Sequence, residues 1–216
     1  MCARWRMLLI FHMNMYISIQ LYCKVLVTNF SSISNERKAV LNEIAAYVKN
    51  QINENKPVNL NYICTHNSRR SHFGQVWAAV AASYYNIKNV HTFSGGTEAT
   101  AFNPNAIAAL ERSGFNILKS GSENNPLYKV HYSNDDFVIC FSKMYSDAAN
   151  PSNGFAAIMT CTDADSRCPI VSGAEIKIAT PYADPKAFDG TEIQDSKYDE
   201  RCRQIAVECL YVFSQV

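Results

Sequence analysis

The stretch from Val58 to Tyr85 restricts the fold more than any other. VNLNYIC (58–64) is a short run rich in strand formers, the following THNSRR is polar, and Phe73, Val76, Trp77, Val80 and Ala81 then recur at helical spacing. A strand, a polar loop and an amphipathic helix follow one another without a break. The order recurs with NVHTFSGG (89–96) as a strand and PNAIAALERSGF (104–115) as a helix that has Pro104 in its first turn and Gly114 at its end. Further strands are predicted at DFVICFS (136–142), FAAIMTC (155–161) and EIKIA (175–179), and a last helix at about 196–213. Alternating strands and helices predict an α/β fold, an open parallel four-stranded sheet with helices on both faces. In such sheets the site lies at the carboxyl ends of the strands, where Cys64, Ser94, Ser142 and Cys161 fall.

Before this unit, Ser34 is placed to cap an amphipathic helix carrying Val40, Ile44, Ala45 and Val48 on one face. The expected organisation is an N-terminal helical extension over residues 1–56 and a catalytic domain over 57–216. A chain of 216 residues, 48% hydrophobic, can bury a full core without disulfides. Its eight cysteines are irregularly spaced and are read as thiols of a reducing cytoplasm. Arg4 and Arg6 before a short apolar run resemble the start of a signal peptide, but His12 and Asn14 interrupt the run, and Met15 is an alternative start. No stretch has the length of a membrane-spanning helix. Twenty basic and 19 acidic residues are well mixed, so neither nucleic acid nor membrane is expected as a partner.

The chemistry is carried by the loop. Cys64 and Arg70 are separated by Thr65, His66, Asn67, Ser68 and Arg69, and the chain then enters a helix. Successive backbone N–H groups and a helix N-terminus can converge on one anion, and Arg70 can fork onto two of its oxygens. The same positive end and the Ser71 hydroxyl would favour a thiolate on Cys64, the nucleophile such chemistry requires. A late Asp184-Pro185 supplies a candidate proton donor, with Asp189 as a rival carboxylate. Cys161 and Cys168 stand seven positions apart on either side of the polar TDADSR. That spacing disfavours a zinc knuckle and leaves two readings, buried core cysteines or mobile thiols able to exchange.

CTHNSRRS (64–71) closely resembles the phosphate-binding CX5R loop of the low-molecular-weight protein tyrosine phosphatase superfamily, which includes the thioredoxin-coupled arsenate reductases. SGGTEATAFNP (94–104) resembles the superfamily's small-residue turn, and MTCTDADSRCPI (159–170) the redox segment of those reductases. The resemblance covers Val58 to about Val216. It implies Cys64 as nucleophile, Arg70 as oxyanion clamp, Ser71 as thiolate stabiliser, Asn67 as holder of the loop, and Asp184 as general acid. It further implies oxyanion binding by residues Thr65 to Arg70, a Cys64/Cys161/Cys168 thiol relay reducing arsenate to arsenite, and thioredoxin as reductant. No metal or other cofactor is expected.

Three readings follow. The first is an arsenate reductase. The second is a phosphatase acting on a phosphotyrosine protein or a small phosphomonoester, and the third a non-catalytic anion-binding module. Phosphatases of this type place aromatic residues directly after the Asp-Pro, where this chain has Lys186 and Ala187, which favours the reductase. Intact Cys64, Arg70 and Asp184 argue against the third reading. Arg69 stands where many members have a second cysteine, His66 where glycine is common, and Gln75 where some reductases hold a cation with glutamate. Cys140, Cys202 and Cys209 are read as core thiols, and His91 and His131 as structural histidines.

Overall fold

The computed structural model describes residues 15–121, 124–168 and 170–216. The signal-like opening segment with Cys2, residues 122–123 and Pro169 lie outside them. Two helices come first, α1 (Ile17–Val27) and α2 (Asn35–Asn53), the latter capped by Ser34, whose side chain accepts from Arg37 N at 3.2 Å. Then follow β1 (Val58–Cys64), α3 (Arg70–Tyr84), β2 (Val90–Gly96) and α4 (Pro104–Arg112). Next are β3 (Asn116–Ser120), β4 (Leu127–His131), β5 (Phe137–Cys140) and β6 (Phe155–Met159). The chain ends with α5 (Thr162–Arg167), β7 (Ala174–Ala179) and α6 (Gln194–Ser214).

Four strands form a parallel sheet in the order β2-β1-β6-β7. Its two faces are separated by the period of two along each strand. On β6, Ala156 and Ile158 join the larger core made with α1, α2, α3, α4 and α6, while Phe155, Ala157 and Met159 turn to a smaller core that contains Ala164 of α5. β1 divides likewise, with Leu60 and Tyr62 in the larger core and Ile63 and Cys64 in the smaller one. The nucleophile candidate is at the last position of a central strand, where the chain turns from the sheet beside the smaller core.

One expectation is corrected, and three elements appear that were not foreseen. The segment 136–142 is not a strand of the parallel sheet; β5 pairs antiparallel with β4, and β4 with β3, in a separate sheet. β3 and β4, which pair antiparallel as neighbours in sequence, were not expected; Val130 of β4 is buried in the larger core and Leu118 of β3 is exposed. α1 was not expected at all. Its Ile19, Cys23 and Leu26 are fully buried in the larger core, while Ile17, Leu21 and Val25 are exposed.

Removing the Leu26 side chain leaves a cavity among packed helices. Leu26→Ala should lower unfolding free energy by about 2–5 kcal/mol in urea melts. A loss under about 0.5 kcal/mol, the usual surface value, would mean that α1 is not a packed part of this core.

Candidate active site

The loop between β1 and α3 has its carbonyls turned outward and engaged. Cys64 O accepts from Thr97 N at 3.2 Å, Thr65 O from Glu98 N at 2.8 Å, and Ser68 O from Asn103 N at 2.9 Å. His66 O accepts from the hydroxyls of Ser142 and Thr100 at 2.9 and 3.2 Å. By contrast, the backbone N–H groups of Thr65 to Arg69 find no acceptor among the described residues. A loop pinned by its carbonyls leaves its amides free to converge, which makes an anion-binding concavity at the head of α3. Gly96 permits the close approach, because a Cβ there would lie 2.7 Å from Thr65 O and 2.8 Å from Asn67 N.

Asn67 holds the turn in the left-handed region at φ 44°, a conformation asparagine tolerates. Its side chain is used at both ends: Nδ2 donates to Ser71 Oγ at 2.9 Å, and Oδ1 accepts from Lys143 N at 2.9 Å. With a proton from Asn67 already on its oxygen, Ser71 is set to donate to Cys64 Sγ, 3.1 Å away. All three side chains are buried.

Arg70 reaches across to the loop after β7. It donates to Tyr182 O at 2.8 Å and to Asp184 Oδ2 at 2.6 Å. Two of its five N–H groups are thus used in fixing its position. Asp184 is a third exposed at its side chain and also accepts from Lys186 N at 3.0 Å, capping the short 3-10 turn Pro185–Phe188. The rival Asp189 is occupied elsewhere, accepting from Tyr198 at 2.7 Å and Arg69 at 3.3 Å. Arg69 itself turns from the loop toward Tyr198, to which its Nε donates at 2.7 Å. His66 stands at the rim, 3.5 Å from Glu98, and Ser68 Oγ donates to Ala101 O at 2.7 Å. The side chains of Ser68 and Arg69 are thus engaged away from the concavity.

Cys161 lies beside this loop. Its sulfur is 3.4 Å from Thr65 Oγ1, and it shares the smaller core with Cys64. It also caps α5, accepting from Ala164 N at 3.4 Å. The segment, read from sequence as holding either buried core cysteines or mobile thiols, is a short helix with a buried cysteine at its start and the half-buried Cys168 at its end, packed against the same core. The remaining described thiols lie in the larger core. Burial pushes Cys23, Cys140 and Cys209 up to about 12 and Cys202 to about 11, as expected of inert core thiols.

Sequence reasoning missed the support behind Arg70. Tyr182, whose carbonyl holds Arg70, donates its hydroxyl to the buried Glu208 at 2.8 Å. Glu208 accepts from Arg37 of α2 at 2.8 Å, and that guanidinium lies 4.7 Å over the Tyr182 ring. Burial and the Glu208 carboxylate hold the Tyr182 hydroxyl protonated. The signal available was a lone glutamate within the apolar run AVECLYVF (206–213). Gln75 is no cation ligand here. Its Nε2 ties the two sheets by donating to Thr92 O and Ile139 O at 3.2 and 3.0 Å, while Oε1 accepts from Ser94 at 2.7 Å. Among the described residues no cluster of three or more His, Cys, Asp or Glu could hold a metal ion, and no helix is long and apolar enough to cross a membrane.

No family model matches the chain. It is 25% identical over 158 residues to an arsenate reductase of Bacillus licheniformis, covering 71% of this chain and 93% of the relative. It is 27% identical over 142 residues to an arsenate reductase of Bacillus subtilis, covering 66% and 84%. Among solved structures, a low-molecular-weight phosphotyrosine phosphatase from Vibrio cholerae superposes with a TM-score of 0.48 at 13% identity, covering 73% of this chain and 95% of that one. The chain is thus similar in sequence to arsenate reductases.

His72, next to Ser71, is wholly buried with its Nδ1 3.1 Å from Ser94 Oγ. Because Ser94 gives its proton to Gln75, Nδ1 carries the hydrogen of that contact. Burial, aided by the nearby Lys143 ammonium, pushes His72 down to about 3. Between that value and the ordinary histidine value of about 6.5, the unfolded chain binds a proton that the folded chain does not, so stability falls as pH drops through this window. His72→Gln should make that fall shallower in urea melts at pH about 7 and about 5. Equal falls in both proteins would contradict it.

Proposed function

We propose that the chain is a thiol-dependent arsenate reductase whose catalytic unit is residues 57–216, braced by the N-terminal extension through Arg37. The observation that carries this reading is the placement of Cys161, whose sulfur touches Thr65, the residue after Cys64. A phosphatase needs only the loop, the arginine and the acid; a second thiol at that position serves reduction.

In this scheme arsenate is held by the amides of Thr65 to Arg70 and by the Arg70 guanidinium, and Ser71 stabilises the Cys64 thiolate. Cys64 sulfur attacks arsenic while Asp184 protonates the departing oxygen, which leaves as water. The product is a Cys64–arsenic(V) adduct. Cys161, as thiolate, then attacks Cys64 sulfur; the electron pair of the broken sulfur–arsenic bond stays on arsenic, and arsenite leaves. Cys168 attacks Cys161 sulfur, the Cys64 thiolate departs, and a Cys161–Cys168 disulfide remains. A dithiol such as reduced thioredoxin returns it to the starting state by exchange.

The last exchange has a structural consequence. Seven helical steps span about 10 Å, whereas a disulfide needs Cα atoms within about 7 Å. α5 must therefore unwind when Cys161 and Cys168 join, losing its cap at the same moment because that cap is the Cys161 sulfur itself. Its six residues and single capping bond make such opening inexpensive.

Cys161→Ser separates this reading from the phosphatase one. The variant should lose thioredoxin-dependent arsenate reduction and keep whatever hydrolysis of an aryl phosphate the wild type has. Fast hydrolysis in both proteins, with reduction in neither, would establish the phosphatase instead.

A further inference from the structure

β2 is the outer strand of the parallel sheet and β5 the outer strand of the antiparallel one. The chain leaving β5 rejoins β2 at a bridge between Gly96 and Met144. Away from that bridge the two edges diverge, with Gln75 spanning them. The wedge is a cavity of about 640 Å³, within the range of about 300–1,000 Å³ usual for small-molecule sites. Its apolar walls include Val90, Phe93, Phe137, Val138 and Phe141.

Two polar groups on this wall are without the partner their chemistry calls for. Lys143 lines the cavity, is 5% exposed, and has no carboxylate within ion-pair distance among the described residues. Its ammonium lies 4.4 Å from the Phe141 ring, and the Asp147 carboxylate acts on it from beyond ion-pair distance. Thr92 also lines the cavity, and its hydroxyl is buried with no hydrogen-bond partner. A buried ammonium and a buried hydroxyl left in this way are each destabilising until an acceptor oxygen arrives. The Lys143 backbone cannot drift to relieve this, since its N–H is held by Asn67 Oδ1 and its carbonyl by Gly96 N, both at 2.9 Å. The donor is thus fixed before any ligand binds, which lowers the ordering cost of binding.

We propose that this cavity is a second ligand site, separate from the catalytic loop, which takes a small amphipathic carboxylate: an aromatic or branched apolar body between the two sheet edges, with its carboxylate on Lys143 and Thr92. One ammonium in an apolar wall suits one negative charge. The site stands independently of the redox reading, because none of its lining residues is a relay thiol or the proposed acid.

The probe is 4-phenylbutyrate, titrated calorimetrically into the full chain with phosphate present to occupy the catalytic loop, beside the neutral 4-phenylbutanol. Phenylbutyrate should bind one to one and at least about tenfold more tightly than the alcohol, the difference expected of a hydrogen bond to a charged group. Lys143→Met should abolish that preference. Thr92→Val, which keeps the strand and the shape of the wall, should weaken phenylbutyrate severalfold, so the idea remains testable even where the lysine variant folds poorly. The proposal fails if phenylbutyrate shows no saturable binding, is displaced by phosphate, binds no better than the alcohol, or is indifferent to the threonine change. It also fails if sedimentation shows a dimer whose formation protects Phe137 and Ile139, since the wedge would then be filled by a second copy.

Discussion

The site depends on the direction in which one short loop points its peptide groups. Every carbonyl engaged between Cys64 and Ser68 is bonded outward to the 97–103 segment or to Ser142, and this frees the amides to face the opposite way. The left-handed Asn67 makes the turn possible and is braced in both directions, to Ser71 within the site and to Lys143 outside it. A preorganised set of donors needs no rearrangement when an oxyanion arrives, which is why such loops bind tetrahedral anions whatever reaction follows. In the proposed reading, what separates reduction from hydrolysis lies outside the loop, in the Cys161 thiol held against Thr65.

The parts of this arrangement that are local in sequence were legible there. β1, the polar loop and α3 follow one another, so their order and the positions of Cys64, Arg70 and Ser71 are read from spacing alone. α4 announced itself through Pro104 in its first turn and Gly114 at its end, and the structure adds a cap at Asn103, whose side chain accepts from Asn105 N and Ala106 N. What escaped was set by tertiary contact. α1 carries apolar residues on its buried and exposed faces alike, so no stripe marks it as a surface helix. β3 and β4 are five-residue strands with a lysine in each, and only pairing makes them strands, while β5, read as a strand, owes its place in a second sheet to its pairing with β4. α5 is too short for a periodic signal and depends on its cysteine cap.

The brace behind Arg70 shows the same limit more sharply. Arg37 and Glu208 are 171 positions apart, and no pattern near either residue names the other. Yet their contact fixes Tyr182, whose carbonyl fixes Arg70, so a helix outside the minimal resemblance has a hand in the geometry of the proposed clamp. Breaking one partner of such a buried pair costs about 3–5 kcal/mol, because the remaining charge is stranded. The extension is in this sense continuous with the site.

The most direct test is a crystal structure grown with phosphate, the unreactive mimic of arsenate. The account predicts a tetrahedral anion above Cys64, with oxygens on the amides between Thr65 and Arg70 and on the Arg70 guanidinium, while Arg70 keeps its bond to Tyr182 O. Phosphate found only elsewhere, or a loop whose carbonyls have turned inward to fill the concavity, would contradict it.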